Sequence, residues 1–172
     1  MINRGPGRGR TRLRYREPVH EAKVVTVSDS VHTGGRPDRT GPEVVAFLEG
    51  HGFAVASVDV VPDGVESVAQ ALRSLADGFH GLVVTAGGTG FSPADHTPEG
   101  TRLALDRLAP GLAEAMRSVN PLGRLSRGVA GTIGASLVVN VPGSPTGAVE
   151  CLGAIVDVVP HALDLLDGGR PH

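Results

Sequence analysis

The sequence predicts an α/β protein with three layers, in which helices cover both faces of a mostly parallel, doubly wound sheet. Short β-branched runs alternate with segments of helical periodicity, an order typical of parallel strands joined by crossover helices. Only 3% of the 172 residues are aromatic, so the core must be built from Val, Leu, Ala and Ile. Such a core suits a sheet that is buried on both faces.

The first half of the chain indicates the order β-α-β-α-β. Runs rich in β-branched residues predict strands at 23–29, 53–61 and 81–86. Thr40 and Glu43 have capping-box spacing, so we expect Thr40 to open a helix that Gly52 ends. Apolar residues at helical spacing predict a second helix over 65–76.

The second half predicts further helices and a pair of short strands. Thr97 is expected to cap a helix that runs to about Leu108. The remaining predicted elements are helices over 110–119, over 146–158 and after Pro160, and two short strands on either side of 131–134.

The N-terminal segment differs in composition from the rest of the chain. Its arginines alternate with Gly, Pro and Thr, so residues 1–21 cannot bury enough surface to order themselves. We expect a disordered arginine-rich tail followed by one domain over 22–168. A solvated extension is favoured over a nucleic-acid arm, and the net charge of −2 gives no sign of nucleic acid or membrane as a partner.

Cysteine content and hydropathy bear on the compartment. The single cysteine, Cys151, excludes a disulfide framework and a cysteine-cluster metal site. No apolar run approaches the ~20 residues of a membrane span, and the N-terminus lacks the apolar region of a signal peptide. The sequence therefore predicts a cytoplasmic protein, with Cys151 in the core of its last long helix.

The stretch VVTAGGTGFSPADHTPEG, residues 83–100, combines glycines with two carboxylates. It is not a Walker A loop, because Phe91 follows Gly90 and the only lysine in the chain is Lys23. It is not a dinucleotide fingerprint either, because Pro93 stands where the third glycine would be.

Polar and glycine residues follow the predicted strands at one edge of the sheet. In doubly wound sheets, ligands bind beyond the carboxyl ends of the strands, so the loops at 28–30, 62–64, 87–90 and 140–144 are expected to converge. Glycines let backbone N–H groups bind an anion, and Asp63 and Asp95 are oxygen ligands suited to Mg²⁺. These features favour a nucleotide site with its metal. Glycines that serve packing and aspartates that cap helices remain the alternative.

Several segments together resemble a known family. TVSDSVHTGGRPDRTGPEV, VVPDG, GGTGFSPADHTPEGT, LSRGVAG and NVPGSPTGAVEC resemble, in order and spacing, the molybdopterin adenylyltransferase family of Mog and MoaB type, similar to the G domains of plant molybdenum-cofactor proteins and gephyrin. The resemblance covers about 23–166. It implies the molybdopterin-binding fold, usually as a homotrimer, and an enzyme that uses ATP and Mg²⁺ to adenylylate the terminal phosphate of molybdopterin, releasing pyrophosphate.

The resemblance also implies the site residues. Asp63 and Asp95 match the family's catalytic, metal-binding aspartates. The nucleotide side matches at Gly87, Gly88, Thr89 and Gly90, with Ser28, Asp29 and Ser30 near by. The pterin side matches at Ser126, Arg127, Pro142, Gly143 and Ser144. Arg127 is either an anion clamp or a surface ion pair.

The implied reaction explains why carboxylates are needed. A phosphate monoester has a second pKa near ~6, so at neutral pH it attacks the α-phosphorus of ATP without a strong general base. Catalysis then depends on positioning and on neutralising charge. We therefore expect Asp95 and Asp63 to hold Mg²⁺ rather than to take a proton.

Some positions depart from the family pattern. Ala94 stands where many members have arginine, and Ile133 and Ala135 lack a charge and a hydroxyl found in relatives, so we expect weaker anion contacts near the pterin. Two alternatives stay open: a non-catalytic molybdopterin-binding paralogue of MoaB type, and a competence-damage type domain. A molybdenum insertase is the expected protein partner.

Overall fold

A computed structural model describes residues 20–168, which form a six-stranded sheet in the order β2-β1-β3-β6-β5-β4. The strands β2, β1, β3 and β6 are parallel, whereas β5 and β4 continue the sheet antiparallel. The mostly parallel α/β sheet predicted from the sequence is confirmed. The strands are β1 (His20–Val27), β2 (Phe53–Val61), β3 (Gly81–Ala86), β4 (Arg107–Leu108), β5 (Ala130–Ile133) and β6 (Ser136–Val141).

Helices cover both faces of this sheet. Side chains of α2, α5, α6 and α7 form a core cluster on one face, and those of α3 and α4 form a second cluster on the other face. The three layers are therefore present. The helices are α1 (Asp29–His32), α2 (Thr40–Gly50), α3 (Val65–Ala76), α4 (Thr97–Ala104), α5 (Pro110–Arg117), α6 (Pro145–Gly153) and α7 (Val159–Leu166), with a 3-10 turn at Pro121–Leu125. No helix within residues 20–168 is long and apolar enough to cross a membrane.

The neighbouring strands β3 and β6 are buried at every position. Successive side chains of a strand point to opposite faces, so Leu82 and Val84 enter the first core cluster while Val83 enters the second. A strand of this kind is mostly apolar rather than alternating. The continuous runs LVV and LVV in β3 and β6 fit that pattern.

Several predicted boundaries were wrong. The helix expected to reach Leu108 ends at Ala104, because residues 107–108 pair with β5. The helix expected over 146–158 ends at Gly153, and a separate helix begins at Val159. The predicted tail lies outside the described residues except for His20 and Glu21, which begin β1.

The two predicted threonine caps were also wrong. The side chain of Asp38 accepts the N–H groups of Thr40 and Gly41, each at 3.0 Å, so Asp38 rather than Thr40 satisfies the first turn of α2. Thr40 instead donates its hydroxyl to the carbonyl of Gly143 at 2.6 Å. Thr97 is the first residue of α4, and its buried hydroxyl has no partner among the described residues.

A polar network lies inside the core below the carboxyl edge of the sheet. Asn140 on β6 is 2% exposed, and its amide donates to the hydroxyls of Thr85 at 2.8 Å and Thr101 at 2.9 Å. Its carbonyl accepts the N–H of Val129 at 3.0 Å. Asn140 thereby joins β6 to β3, to α4 and to the segment before β5, and every polar group of its side chain is satisfied.

Replacing Asn140 with leucine should destabilise the protein, because three buried partners lose their hydrogen bonds at once. We expect Asn140→Leu to lower the free energy of unfolding by about 2 kcal/mol or more, measured by urea denaturation. Thr85→Val is the control: it removes one of these bonds and should cost less. Equal stability of Asn140→Leu and the wild type would show that the network does not stabilise the fold.

Candidate active site

A cavity of about 1150 Å³ opens at the carboxyl edge of the parallel strands. It is formed where the loops after β1, β2, β3 and β6 come together, as the strand order predicted. It exceeds the roughly 300–1,000 Å³ typical of a site for one small ligand. The cavity therefore has room for more than one small molecule.

Most of the predicted site residues line this cavity. The lining residues among them are Ser28, Asp63, Gly87, Gly88, Thr89, Gly90, Asp95, Ser126, Pro142, Gly143 and Ser144. The remaining three, Asp29, Ser30 and Arg127, do not line it and instead contact residues that do.

Asp63 is held in place by Asp29 in a reciprocal pair of hydrogen bonds. The N–H of Asp29 donates to Oδ2 of Asp63 at 2.9 Å, and the N–H of Asp63 donates to Oδ1 of Asp29 at 3.0 Å. The pair ties the end of β1 to the end of β2. The other oxygen of Asp63, Oδ1, lies next to Gly88, where an added Cβ atom would approach it to 3.3 Å.

Asp95 lies on the loop between β3 and α4, and its side chain does not cap that helix. Its Oδ2 accepts the N–H of Ser92 at 2.8 Å, which closes a turn within the loop. A Cβ atom added to Gly90 would lie 2.9 Å from this oxygen. Both predicted metal-binding carboxylates are therefore next to the glycine loop, residues 87–90, and both line the cavity.

These carboxylates are compatible with Mg²⁺. Within residues 20–168, no group of three or more His, Cys, Asp or Glu side chains could hold a metal by itself. Mg²⁺ commonly takes only one or two carboxylates and completes its coordination with water and substrate phosphates. Asp63 and Asp95 can supply that number, with the remaining oxygens coming from a nucleotide.

The glycines of the loop differ in whether the fold requires them. Gly87 has φ +109°, and a Cβ atom on it would lie 2.5 Å from the carbonyl oxygen of Val27. Gly88 has φ +63°, and an added Cβ atom would clash with the hydroxyl of Thr97. The fold itself thus requires these two glycines. At Gly90 the backbone is unstrained, and an added Cβ would crowd only the carboxylate of Asp95.

Two arginines in the cavity wall are not among the site residues predicted from the sequence. Arg36 and Arg39 line the cavity from the loop after α1, and Arg36 Nη2 donates to Ser28 Oγ at 3.3 Å. Asp38 lies between them in sequence, but its carboxylate accepts hydrogen bonds from the hydroxyl of Thr26 and from the N–H of Thr40 at the start of α2. No spacing rule identifies these two arginines from the sequence, because they lie in an exposed loop between α1 and α2.

Arg127 contacts the glycine loop instead of the cavity. Its Nε donates to the carbonyl of Gly90 at 2.7 Å and its Nη2 to the carbonyl of Asp95 at 2.6 Å. Its Nη1 forms an ion pair with Oε1 of Glu99. Of the two alternatives, the structure shows the ion pair. Glu99, in the first turn of α4, is the counter-ion of Arg127.

The two serines on the predicted pterin side stabilise turns. Ser144 Oγ accepts the N–H of Gly147 at 3.2 Å and thereby caps α6. Ser126 Oγ accepts the N–H of Gly128 at 3.2 Å. Both residues line the cavity, so their hydroxyls lie at its wall while serving the local backbone.

The expected effect of Ile133 and Ala135 on anion contacts was wrong. These residues lie at the turn between β5 and β6, at the opposite edge of the sheet. There they line a smaller cavity of about 450 Å³ together with Arg73 and Phe79. Ala94, by contrast, is exposed on the loop next to Asp95.

Cys151 lines the cavity and belongs to the core of α6, as predicted. Burial, together with the negative charge of Glu150, raises the pKa of its thiol to about 11. The thiol therefore stays protonated and unreactive at neutral pH.

Comparison with known proteins relates this site to a family. A family model described as "Probable molybdopterin binding domain" matches residues 23–161. A molybdopterin adenylyltransferase of Haemophilus influenzae is 35% identical over 170 residues, covering 84% of this chain and 83% of that enzyme. The crystal structure of the molybdopterin biosynthesis enzyme MoaB from Thermus thermophilus is 46% identical, with a TM-score of 0.82 and coverage of 88% of this chain and 98% of that one.

A longer relative matches over part of its length. Gephyrin of Dictyostelium discoideum is 34% identical over 158 residues, covering 84% of this chain but 22% of gephyrin. The chain thus spans about a fifth of that protein.

An open cavity at the carboxyl edge of a parallel sheet, bordered by a glycine loop, is the ligand-binding position of doubly wound α/β proteins. Within that class the family match extends over most of the chain. The chain belongs to the molybdopterin-binding domain family, as its motifs predicted.

The pH dependence of stability should report the ion pair of Arg127 and Glu99. Burial acts to raise the pKa of Glu99, but the hydrogen bond and charge of Arg127, a backbone hydrogen bond and His96 together outweigh it and lower that pKa. A carboxyl whose pKa is lowered in the folded state stabilises the fold above its unfolded pKa, and this contribution is lost as the pH falls through the lowered value.

Glu99→Gln should therefore be less stable than the wild type at neutral pH, and the two should converge in acid. Thermal unfolding of both proteins from about pH 7 to about pH 3 checks this. A difference in Tm that stays constant over the whole range would show that the charge of Glu99 contributes nothing.

Proposed function

We propose that this protein is a molybdopterin adenylyltransferase of molybdenum cofactor biosynthesis. It transfers AMP from ATP to the terminal phosphate of molybdopterin and releases pyrophosphate, in a reaction that depends on Mg²⁺. The observation that carries the proposal is that Asp63 lies next to Gly88 and Asp95 next to Gly90, and that all four residues line one large cavity. The similarity to named adenylyltransferases over 84% of the chain supports it.

The reaction needs charge neutralisation more than proton transfer. An oxygen of the molybdopterin phosphate attacks the α-phosphorus of ATP, the bond to the bridging oxygen of the β-phosphate breaks, and the electron pair leaves with pyrophosphate. The attacking phosphate is dianionic near neutral pH, so no side chain has to remove a proton. Mg²⁺, held by Asp95 and Asp63, would withdraw charge from the phosphates as they react.

The chain supplies its own positive groups around the proposed phosphate position. Arg36 and Arg39 are the cationic side chains in the described part of the cavity wall. None of the hydrogen bonds among residues 20–168 uses the backbone N–H groups of Gly88, Thr89 or Gly90. N–H groups of a glycine-rich turn can bind an anion, so the loop is suited to a phosphate.

Asp95→Asn should abolish adenylylation while the fold and molybdopterin binding survive. Asparagine keeps the shape of the side chain and an oxygen for the N–H of Ser92, but it removes the charge that would hold Mg²⁺. We expect turnover to fall about a hundredfold or more. The assay follows adenylylated molybdopterin formed from ATP and Mg²⁺ by purified protein.

Asp59→Asn is the matched control, because Asp59 also accepts a local hydrogen bond, from Ser57, but lies on β2 away from the cavity. It should retain normal turnover. Retention of most activity in Asp95→Asn would remove Asp95 from the mechanism.

Alanine substitutions separate the role of the glycine loop in binding from its role in folding. Gly88→Ala should lower both stability and ATP affinity, because its Cβ meets Thr97 in a left-handed backbone. Gly78→Ala is its control, since Gly78 has a similar φ of +60° and open space around it. Gly90→Ala should weaken ATP binding about tenfold, or ~1.4 kcal/mol, with little loss of stability, because it displaces only the Asp95 carboxylate.

Calorimetry with ATP and thermal unfolding, run in parallel on these variants, give the two quantities. Unchanged ATP affinity in Gly90→Ala would mean that the nucleotide binds elsewhere on the edge of the sheet.

A binding-only paralogue of MoaB type is the second candidate, and the observation that favours it is Ala94, which lies next to Asp95 where many members of the family have arginine. Such a protein would bind molybdopterin but form no adenylylated product in the same assay. We further propose a homotrimer in the cytoplasm, where ATP is available, and a molybdenum insertase as the partner that receives the product. Sedimentation velocity at micromolar concentration tests the trimer, and a monomer would count against it.

A further inference from the structure

Arg127 forms hydrogen bonds to the loop between β3 and α4 at two places, within the glycine residues and at Asp95. Its backbone N–H donates to the carbonyl of Thr89 at 2.8 Å, and its guanidinium reaches the carbonyls of Gly90 at 2.7 Å and Asp95 at 2.6 Å. One residue from a distant part of the chain thus holds the loop where it leaves the glycine turn and again just before α4 begins.

Glu99 completes this arrangement from the first turn of α4. It accepts Nη1 of Arg127, so each of the three guanidinium nitrogens has a partner within the chain. The ring of Phe91 lies 5.9 Å from Cζ of Arg127. The planar guanidinium is therefore fixed in direction by contacts on several sides.

The loop needs such a support because it has no regular secondary structure of its own. Between β3 and α4, Asp95 is held by its contacts with Ser92 and by the bond from Arg127 to its carbonyl. A metal-binding carboxylate must be held within about 0.5 Å of its working position to be effective. Arg127 fixes the backbone of Asp95, while Ser92 fixes its carboxylate.

We propose that Arg127, with Glu99 as its counter-ion, is a positioning residue for the half of the site that binds ATP and Mg²⁺. It acts through the backbone of the glycine loop and does not touch either substrate. This inference rests on the proposed function, because it assigns Asp95 and the loop to the metal and nucleotide. It replaces the sequence-based assignment of Arg127 to the pterin side.

Lysine distinguishes positioning from direct binding of an anion. A lysine at position 127 keeps the positive charge, so a residue that binds phosphate directly would retain part of its function. The ammonium group lacks the planar fork that reaches Gly90, Asp95 and Glu99 in three directions. A positioning residue is therefore not rescued by lysine.

The test measures substrate affinities separately, without turnover. Calorimetry gives the affinity for ATP with Mg²⁺ and, in a second titration, for molybdopterin. We expect Arg127→Lys and Arg127→Gln to weaken ATP binding about tenfold or more, while molybdopterin affinity changes less than about twofold. Glu99→Gln keeps an acceptor oxygen and loses only a half-exposed charge, so its effect should be smaller, about twofold to fivefold.

Arg117→Gln is the matched control. Arg117 is also half-buried and donates to a backbone carbonyl, that of Gly128, at 2.9 Å, but it does not reach the glycine loop. It should leave both affinities unchanged. If Arg127→Gln does not fold, Glu99→Gln and Arg127→Lys still give the comparison.

Two results would overturn the inference. Wild-type ATP affinity in Arg127→Lys, or a larger loss of molybdopterin than of ATP affinity in Arg127→Gln, would make Arg127 an anion ligand of the pterin side. Failure of the proposed function itself is visible in the wild type, as absence of ATP binding or of adenylylated product. A defect confined to the variants concerns Arg127 alone.

Discussion

The rest of the structure depends on the burial of the central strands β3 and β6 on both faces. Because these strands run parallel, their carboxyl ends must lie at one edge of the sheet. The glycine loop follows β3, and the turn containing Pro142, Gly143 and Ser144 follows β6. The cavity is therefore a consequence of strand order, and the polar core below it, centred on Asn140, fixes the two ends relative to each other.

The sequence predicted what repeats with a regular period and missed what depends on a distant partner. The strands, the sheet direction and the converging loops could be predicted because periodicity and the family motifs are local signals. The end of α4 could not, because Ala104 is followed by a strand whose partner, β5, lies more than twenty residues further on. Thr40 failed as a cap for the same reason, since its hydroxyl is used by the distant carbonyl of Gly143.

At the site, matching residues to a family motif predicted location better than role. Ser144 and Ser126 lie where the motif placed them, but their hydroxyls hold turns. Ile133 and Ala135 lie at the other edge of the sheet, although they follow Arg127 closely in sequence. Arg36 and Arg39 supply the positive charge of the cavity wall in the described part of the chain. They were overlooked because an arginine in an exposed loop has no distinctive spacing.

The residues of the signature divide into those required by the fold and those available to a ligand. Gly87 and Gly88 are required because a Cβ atom would meet Val27 and Thr97, so their presence would be expected even in a protein that had lost its chemistry. Asp63 Oδ1 and the N–H groups of Gly88, Thr89 and Gly90 have no comparable structural duty among the described residues. A motif match therefore establishes the scaffold. Activity has to be judged from the groups that the fold does not require, because these could change in a binding-only relative without loss of the fold.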